Sequence, residues 1–282
     1  MFDRILVPLD GSPRAESVLA HVGRLLRRED AEVLLLRVSE PAYSLARLDS
    51  SKLIREDRES ATSYLKAAAE TLQEQGVRCR VIHKEGGIAE SILRAAADLR
   101  ASLIALSTHG RGGVARWIFG SVAEKILRMA SVPVLLLRSF PSGSRGLPLR
   151  AQDVPFRRLL VPFDGSKTSA QVIPAAAALA GLFGAEVDVL SVAEGESEAE
   201  AREEAEKAVA RFEERGAKAR ALTASGDPAL KILDVADEEK ADLIAMATHG
   251  WTGMTRWMLG SVTEKVLRHS TLPMLVVRPE RA

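Results

Sequence analysis

The chain repeats itself, and the repeat fixes what the folding unit is. Arg4 to Ser12 read RILVPLDGS and Arg158 to Ser166 read RLLVPFDGS, seven of nine identical at an offset of 154. Further on, Thr108 to Arg138 and Thr248 to Arg278 share 16 of 31 positions at an offset of 140. The two offsets differ by 14 residues, so the first copy carries an insertion. The longer offset still relates Glu40 to Glu194, whereas Gly86 and Gly226 already obey the shorter one, which places the extra residues around Pro41 to Asp57. Between the copies, Ser139 to Arg157 is rich in Pro, Gly and Ser and lacks periodicity, the composition of a linker. The expected organisation is a first domain over 1–139, a linker over 140–157 and a second domain over 158–282. In a chain of 282 residues each copy is long enough to bury its own core.

Within each copy, strand and helix patterns alternate. In the first, Ile5 to Pro8, Val33 to Val38, Val77 to His83, Leu103 to Ser107 and Val134 to Leu137 are short runs dominated by Val, Ile and Leu, the signature of strands buried on both faces. Helical segments near Ser12 to Arg28, Arg55 to Gln75, Ile88 to Leu99 and Ser121 to Ala130 lie between them. The second copy repeats the order, with strands near 158–162, 186–192, 217–223, 243–247 and 274–277. Alternation of this kind predicts an α/β fold: two tandem doubly wound domains, each a five-stranded parallel sheet with helices on both faces. Pro174 is expected to kink the first helix of the second copy.

Charge and cysteine content exclude several classes. There are 39 Lys plus Arg against 38 Asp plus Glu, so no general field holds nucleic acid or an acidic membrane. Cys79 is the single cysteine, which excludes an intrachain disulfide framework, and five scattered His give no zinc spacing. No run approaches 18 apolar residues, and Met1 leads directly to Asp3-Arg4 without a signal-peptide core, so the expected location is the cytoplasm. The acidic run Glu194 to Glu214 is interleaved with Arg202, Lys207 and Arg211 and reads as a solvated helix face.

In an open parallel sheet a ligand binds at the carboxyl ends of the strands. Two loops per copy carry unusual residues there: Pro8-Leu9-Asp10-Gly11-Ser12 and Ser107-Thr108-His109-Gly110 in the first, Pro162-Phe163-Asp164-Gly165-Ser166 and Ala247-Thr248-His249-Gly250 in the second. Nine residues separate Gly110 from Gly120-Ser121-Val122, and nine separate Gly250 from Gly260-Ser261-Val262, each opening a helix. Glycines at the loop start and the helix start let backbone approach an anion, and the first helical amides point outward, so the arrangement suits a phosphate. A second reading needs no ligand. Ser121-Val-Ala-Glu124 and Ser261-Val-Thr-Glu264 are both capping boxes, and Asp10 suits an Asx turn.

With these residues in place, the sequence resembles the universal stress protein family in its tandem form, over nearly all of both copies. Nucleotide-binding members carry Gly, two residues, Gly, nine residues, then Gly followed by Ser or Thr. Gly110 with Gly120-Ser121 and Gly250 with Gly260-Ser261 match the later part, while Ser107 and Ala247 stand where the first Gly would be. The resemblance implies a Rossmann-like fold and bound ATP, or another adenine nucleotide, with Mg2+ as its accompanying cation. It implies that Asp10 and Asp164 lie beside adenine and ribose. Val38 and Val192 would then contact the base, and His109 and His249 would border the phosphates. Related domains dimerise through the last strand. Val132 to Arg138 and Leu272 to Arg278 are therefore expected either to pair within one chain or to build a homodimer.

Other chemistries lack their residues. DGSKTS at Asp164 to Ser169 has no glycine in the place a Walker loop needs, no Gly-x-Gly-x-x-Gly follows the first strand, and no nucleophile elbow occurs at a strand-to-helix turn. Trp117 and Trp257 lie in the nine-residue loops and read as packing. Three functions therefore remain open: an adenine-nucleotide-binding stress protein, a dimeric scaffold whose pockets hold nothing, and a slow ATP hydrolase.

Overall fold

The computed structural model describes residues 2–25, 31–40, 50–109, 120–139, 156–195, 197–248 and 260–279. The chain divides into two compact units, one made of Phe2–Thr108 with the segment before Pro133 that carries its last helix, the other running from Pro133 onward.

The first unit contains β1 (Arg4–Pro8), α1 (Pro13–Glu16), α2 (Leu19–Leu25), β2 (Glu32–Ser39), α3 (Ser50–Gln73), β3 (Arg78–Glu85), α4 (Ile88–Asp98), β4 (Leu103–His109) and α5 (Ser121–Met129). Its strands run in the order β3-β2-β1-β4, every pair parallel. Ile5, Leu6 and Val7 of β1 are fully buried, as strands covered on both faces must be. By contrast β3, which ends this order, exposes Arg78, Arg80 and Lys84, so the expectation of burial on both faces fails there. Those charges guard an edge.

The expected helix from Ser12 is broken. Ser12 caps α1 by accepting from the Ala15 amide at 3.2 Å, and Pro13 occupies the first turn. Ser17 then donates its hydroxyl back to the Arg14 carbonyl at 2.7 Å, a local bond that competes with continuation of the helix. The insertion is partly helical: α3 has 24 residues where its counterpart in the second repeat has 16.

The second unit contains β5 (Val134–Ser139), β6 (Arg158–Pro162), a 3-10 turn (Ser169–Val172), α6 (Ile173–Phe183), β7 (Glu186–Ala193), α7 (Glu198–Glu213), β8 (Ala219–Ser225), α8 (Pro228–Glu238), β9 (Leu243–Ala247), α9 (Ser261–His269) and β10 (Met274–Val277). The order is β5-β10-β9-β6-β7-β8. Strands β6 to β10 pair parallel, and β5 lies antiparallel to β10, with Leu136 opposite Met274 and Val134 opposite Val276. The last strand of the first sequence repeat thus pairs with the last strand of the second, and both are apolar and buried.

Pro174 does not kink α6. It stands in the helix's first turn, where the missing N–H is one that no carbonyl of the helix would have used. The acidic run forms α7, with Ser197 and Glu200 as a complete capping box and Arg202–Glu206 and Lys207–Glu203 pairs along its exposed face.

One buried carboxylate separates the second repeat from the first. Asp188 of β7 is fully buried and accepts from Arg158 of β6 at 3.1 Å and Arg220 of β8 at 2.7 Å. Arg158 and Arg220 reach outward to Glu186 and Glu239. The corresponding residue of β2 is the buried Leu34, which stands in register between Leu6 of β1 and Arg80 of β3.

Candidate functional site

In each repeat the first strand ends in an Asp-Gly-Ser bend held by the same bonds. The Leu9 amide donates to the Leu36 carbonyl at 2.8 Å, and Phe163 donates to Leu190 at 2.8 Å, so both bends leave the sheet at the same height on the neighbouring strand. Asp10 accepts from the Ser12 amide at 2.9 Å and from its hydroxyl at 2.6 Å; Asp164 accepts from the Ser166 amide at 3.0 Å. These are Asx turns, and they need a positive φ at the glycine, +80° at Gly11 and +74° at Gly165. Burial pulls both carboxyls upward, but bonds from Ser12, aided by the charge of Arg37, hold Asp10 below the ordinary carboxylate value, and bonds from Ser166 and Ser169 do the same for Asp164. Both are ionised at neutral pH.

Around the bends stand the other residues singled out from sequence. Pro8 and Pro162 close β1 and β6, with Leu9 and Phe163 buried beneath the turns. Val38 and Val192 lie half-buried near the ends of β2 and β7, two residues beyond the partners of Pro8 and Pro162. Ser107 and Ala247 lie at the carboxyl ends of β4 and β9, also half-buried. His109 ends β4, while Gly110, His249 and Gly250 lie outside the described residues.

The capping boxes are absent at α5 and α9. The N-cap residues are Gly120 and Gly260, with no side-chain bond, and Ser121 and Ser261 are the first helical residues, exposed. Glu124 pairs instead with Arg128, and Glu264 with Arg268, one turn on. The first helical bonds run from Glu124 to Gly120 at 3.1 Å and from Glu264 to Gly260 at 2.8 Å. The amides of residues 121–123 and 261–263 precede these bonds and have no carbonyl within their own helices. With the helix dipole they make a seat for an anion.

Three residues of this neighbourhood were not among the candidates. Ser17 brings its hydroxyl within 3.4 Å of the Ser107 hydroxyl. Thr263 of α9 donates to the Ala247 carbonyl at 3.1 Å and ties that helix to its strand end. Arg37 of β2 lies against Gly11, where a Cβ would meet its Nη1 at 3.1 Å. The only trace of Arg37 in the sequence was one charge closing the apolar run VLLLRVS. His83 and His269 bond to Ser39 at 3.0 Å and to the Lys265 carbonyl at 2.8 Å. Among the described residues no three His, Cys, Asp or Glu side chains cluster as metal ligands, and no helix is long and apolar enough to cross a membrane.

Comparison with known proteins follows the same division. Residues 1–138 and 155–278 each match the universal stress protein family. Universal stress protein MJ0531 of Methanocaldococcus jannaschii is 35% identical over 140 residues, which are 44% of this chain and 82% of that protein. Universal stress protein YxiE of Bacillus subtilis is 33% identical over 148 residues, 49% of this chain and 100% of its own length. The crystal structure of a universal stress protein from Archaeoglobus fulgidus matches 99% of both chains with a TM-score of 0.80 at 24% identity, a likeness of fold.

Proposed function

Because this chain belongs to the universal stress protein family, we propose that it binds an adenine nucleotide, ATP in the first instance, at the carboxyl ends of the strands in each repeat. The observation that carries this reading is the bare start of α5 and α9. In both repeats a glycine stands where a capping side chain would otherwise satisfy the first amides, and an Asx-turned carboxylate stands beside the same sheet end. A helix that serves only the fold gains about 1 kcal/mol from a Ser, Thr, Asp or Asn cap, as α7 and α8 of this chain do. Helix α4 also begins bare, at Gly87, so it is the bare start together with the Asx-turned carboxylate at the same sheet end that favours a ligand.

In this reading the phosphates rest on the amides of residues 121–123 and 261–263, with Ser121 and Ser261 as hydroxyl donors. Asp10 and Asp164 face the ribose and base from the first strand, and Val38 and Val192 offer apolar contact at the second. His109 and His249 border the phosphate side. Mg2+ enters with the nucleotide and is held by its phosphate oxygens, since no carboxylate cluster among the described residues suits it. The two repeats act as domains 1–139 and 158–282 across the linker 140–157, pairing through β5 and β10 as an intrachain pseudo-dimer. The protein serves in the cytoplasm as a regulatory or protective stress-response protein whose state follows nucleotide occupancy.

The test is direct. Purified protein is heat-denatured and its supernatant chromatographed, and adenine nucleotide is expected there. Among the described residues a Cβ at Gly120 meets nothing within 4 Å, so Gly120→Val is expected to keep the fold while adding bulk at the helix start. Nucleotide affinity in Gly120→Val combined with Gly260→Val is expected to fall at least about tenfold, the loss of one or two charge-assisted bonds. Unchanged affinity in the folded double variant overturns the proposal.

A further inference from the structure

The two bends share a backbone and differ in what stands behind them. In the first repeat Arg37 lies against Gly11, and its Nη1 is buried with no hydrogen-bond partner. Asp10, the carboxylate its charge holds down, already accepts two bonds from Ser12. His83 stands beside Arg37 in register on β3, and its ring meets Ser39. Tyr64 of α3 completes the group: burial and the charge of Glu16 push its hydroxyl well above the ordinary phenol value, so it stays protonated and remains a donor.

None of this recurs in the second repeat. Ser191 stands in place of Arg37, Ala193 in place of Ser39, Thr223 in place of His83 and Glu204 in place of Tyr64. The Glu204 carboxylate fills the space over Gly165, where a Cβ would meet it at 2.6 Å, and it is already paired with Lys207 at 2.7 Å.

We propose that the first repeat accepts an adenine nucleotide carrying an additional phosphoryl group on its ribose, recognised by Arg37, and that the second repeat does not make this distinction. The inference rests on the nucleotide reading above and adds the class of nucleotide. Geometry supplies the argument. Strands stand about 4.8 Å apart, and the order β3-β2-β1-β4 puts β1 one spacing and β2 two spacings from the strand that leads to α5. A nucleotide with its phosphates on the α5 amides therefore lays its ribose over the end of β1 and its base toward β2. That brings the sugar edge to the Asp10-Gly11 bend, where an unpaired guanidinium donor supplies the partner that a second phosphoryl group needs. An arginine beside the ribose is the general means by which doubly wound folds admit a ribose phosphate. The approach needs a small shift of the Arg37 side chain, of the size common on binding. The carboxylates of Asp10 and Glu16 oppose the gain, so the preference rests on a direct bond from the guanidinium to the added phosphoryl group.

Calorimetric titration of the full chain with AMP, adenosine 2′,5′-bisphosphate and adenosine 3′,5′-bisphosphate tests this. One equivalent of a bisphosphate is expected to bind about tenfold more tightly than AMP, the worth of one charge-assisted contact. In Arg37→Ser, which installs the second repeat's residue, the ratio is expected to fall below about two, and in Arg37→Lys to keep an intermediate value. Thermal melting confirms that each variant is folded. AMP and ATP binding with no preference for either bisphosphate, or a preference that survives Arg37→Ser, overturns the inference and leaves the nucleotide reading standing. Absence of binding by every nucleotide overturns both.

Discussion

The first and second repeats agree in backbone wherever a ligand would touch backbone, and disagree in the side chains packed behind it. Leu9 and Phe163 make the same amide bond, Asp10 and Asp164 the same Asx turn, and Gly120 and Gly260 the same uncapped helix start. Behind these, Arg37 is replaced by Ser191, Tyr64 by Glu204 and Leu34 by Asp188. The difference teaches that duplication preserved the arrangement of amides and turns while each copy stabilised it by its own means, one apolar and one ionic at the heart of the sheet.

The largest expected effect breaks that comparison in the core. Asp188→Ala leaves Arg158 and Arg220 aimed at a site without an acceptor and is expected to cost about 3 kcal/mol in urea unfolding. Asp188→Leu, which copies Leu34, strands the same two guanidiniums but refills the space, so it is expected to cost about 1 to 2 kcal/mol less than Asp188→Ala. Equal costs for the two variants contradict the account of the core.

Next come the bends. Gly11→Ala and Gly165→Ala each force a side chain into positive φ and are expected to lower stability by roughly 1 kcal/mol or more. At Gly165 the added Cβ would meet the Glu204 carboxylate at 2.6 Å and its Cγ at 3.2 Å, whereas at Gly11 its nearest contact would be Arg37 Nη1 at 3.1 Å, so Gly165→Ala is expected to melt lower. The reverse order contradicts the closer approach of Glu204 to its bend.

Smaller differences separate true caps from the candidate site. Ser197→Ala removes both halves of a capping box and is expected to cost about 1 kcal/mol, whereas Ser121→Ala is expected to cost less than about 0.5 kcal/mol, because Ser121 caps nothing. The smallest effect is on acid stability. Asp10 and Asp164 titrate below the ordinary carboxylate value in the folded chain, so each contributes stability that is complete above about pH 4 and is lost as pH falls through its folded value. Added salt is expected to weaken the Asp10 contribution more than that of Asp164, since only Asp10 draws on a neighbouring cation; stability against pH for Asp10→Asn and Asp164→Asn, at low and high salt, checks this.

Much of this was legible from residues alone. Offsets of 154 and 140 located the repeat and its insertion, and strands 158–162, 243–247 and 274–277 coincide with β6, β9 and β10. That success follows from burial on both faces, which leaves unbroken Val, Ile and Leu runs. Two of the readings that failed depended on which residue begins a helix. Ser-x-x-Glu at 121 and 261 has the capping spacing, yet the helix starts at the serine and not after it, so the same four letters carry no cap. Pro174 likewise reads as a kink only when the helix start is placed too early. Asp188 and Arg37 escaped notice because a single charge inside an apolar strand is visible, but its partners come from other strands and a distant helix. Strand order, which local sequence does not encode, brings them together.

Calorimetric titration of ATP into the full chain tests the central claim most directly. Two equivalents bound per chain, reduced to one in Gly120→Val and to none when Gly260→Val is added, is the result expected from two uncapped helix starts. No saturable heat at millimolar ATP, from folded protein freed of any co-purified nucleotide, would contradict it.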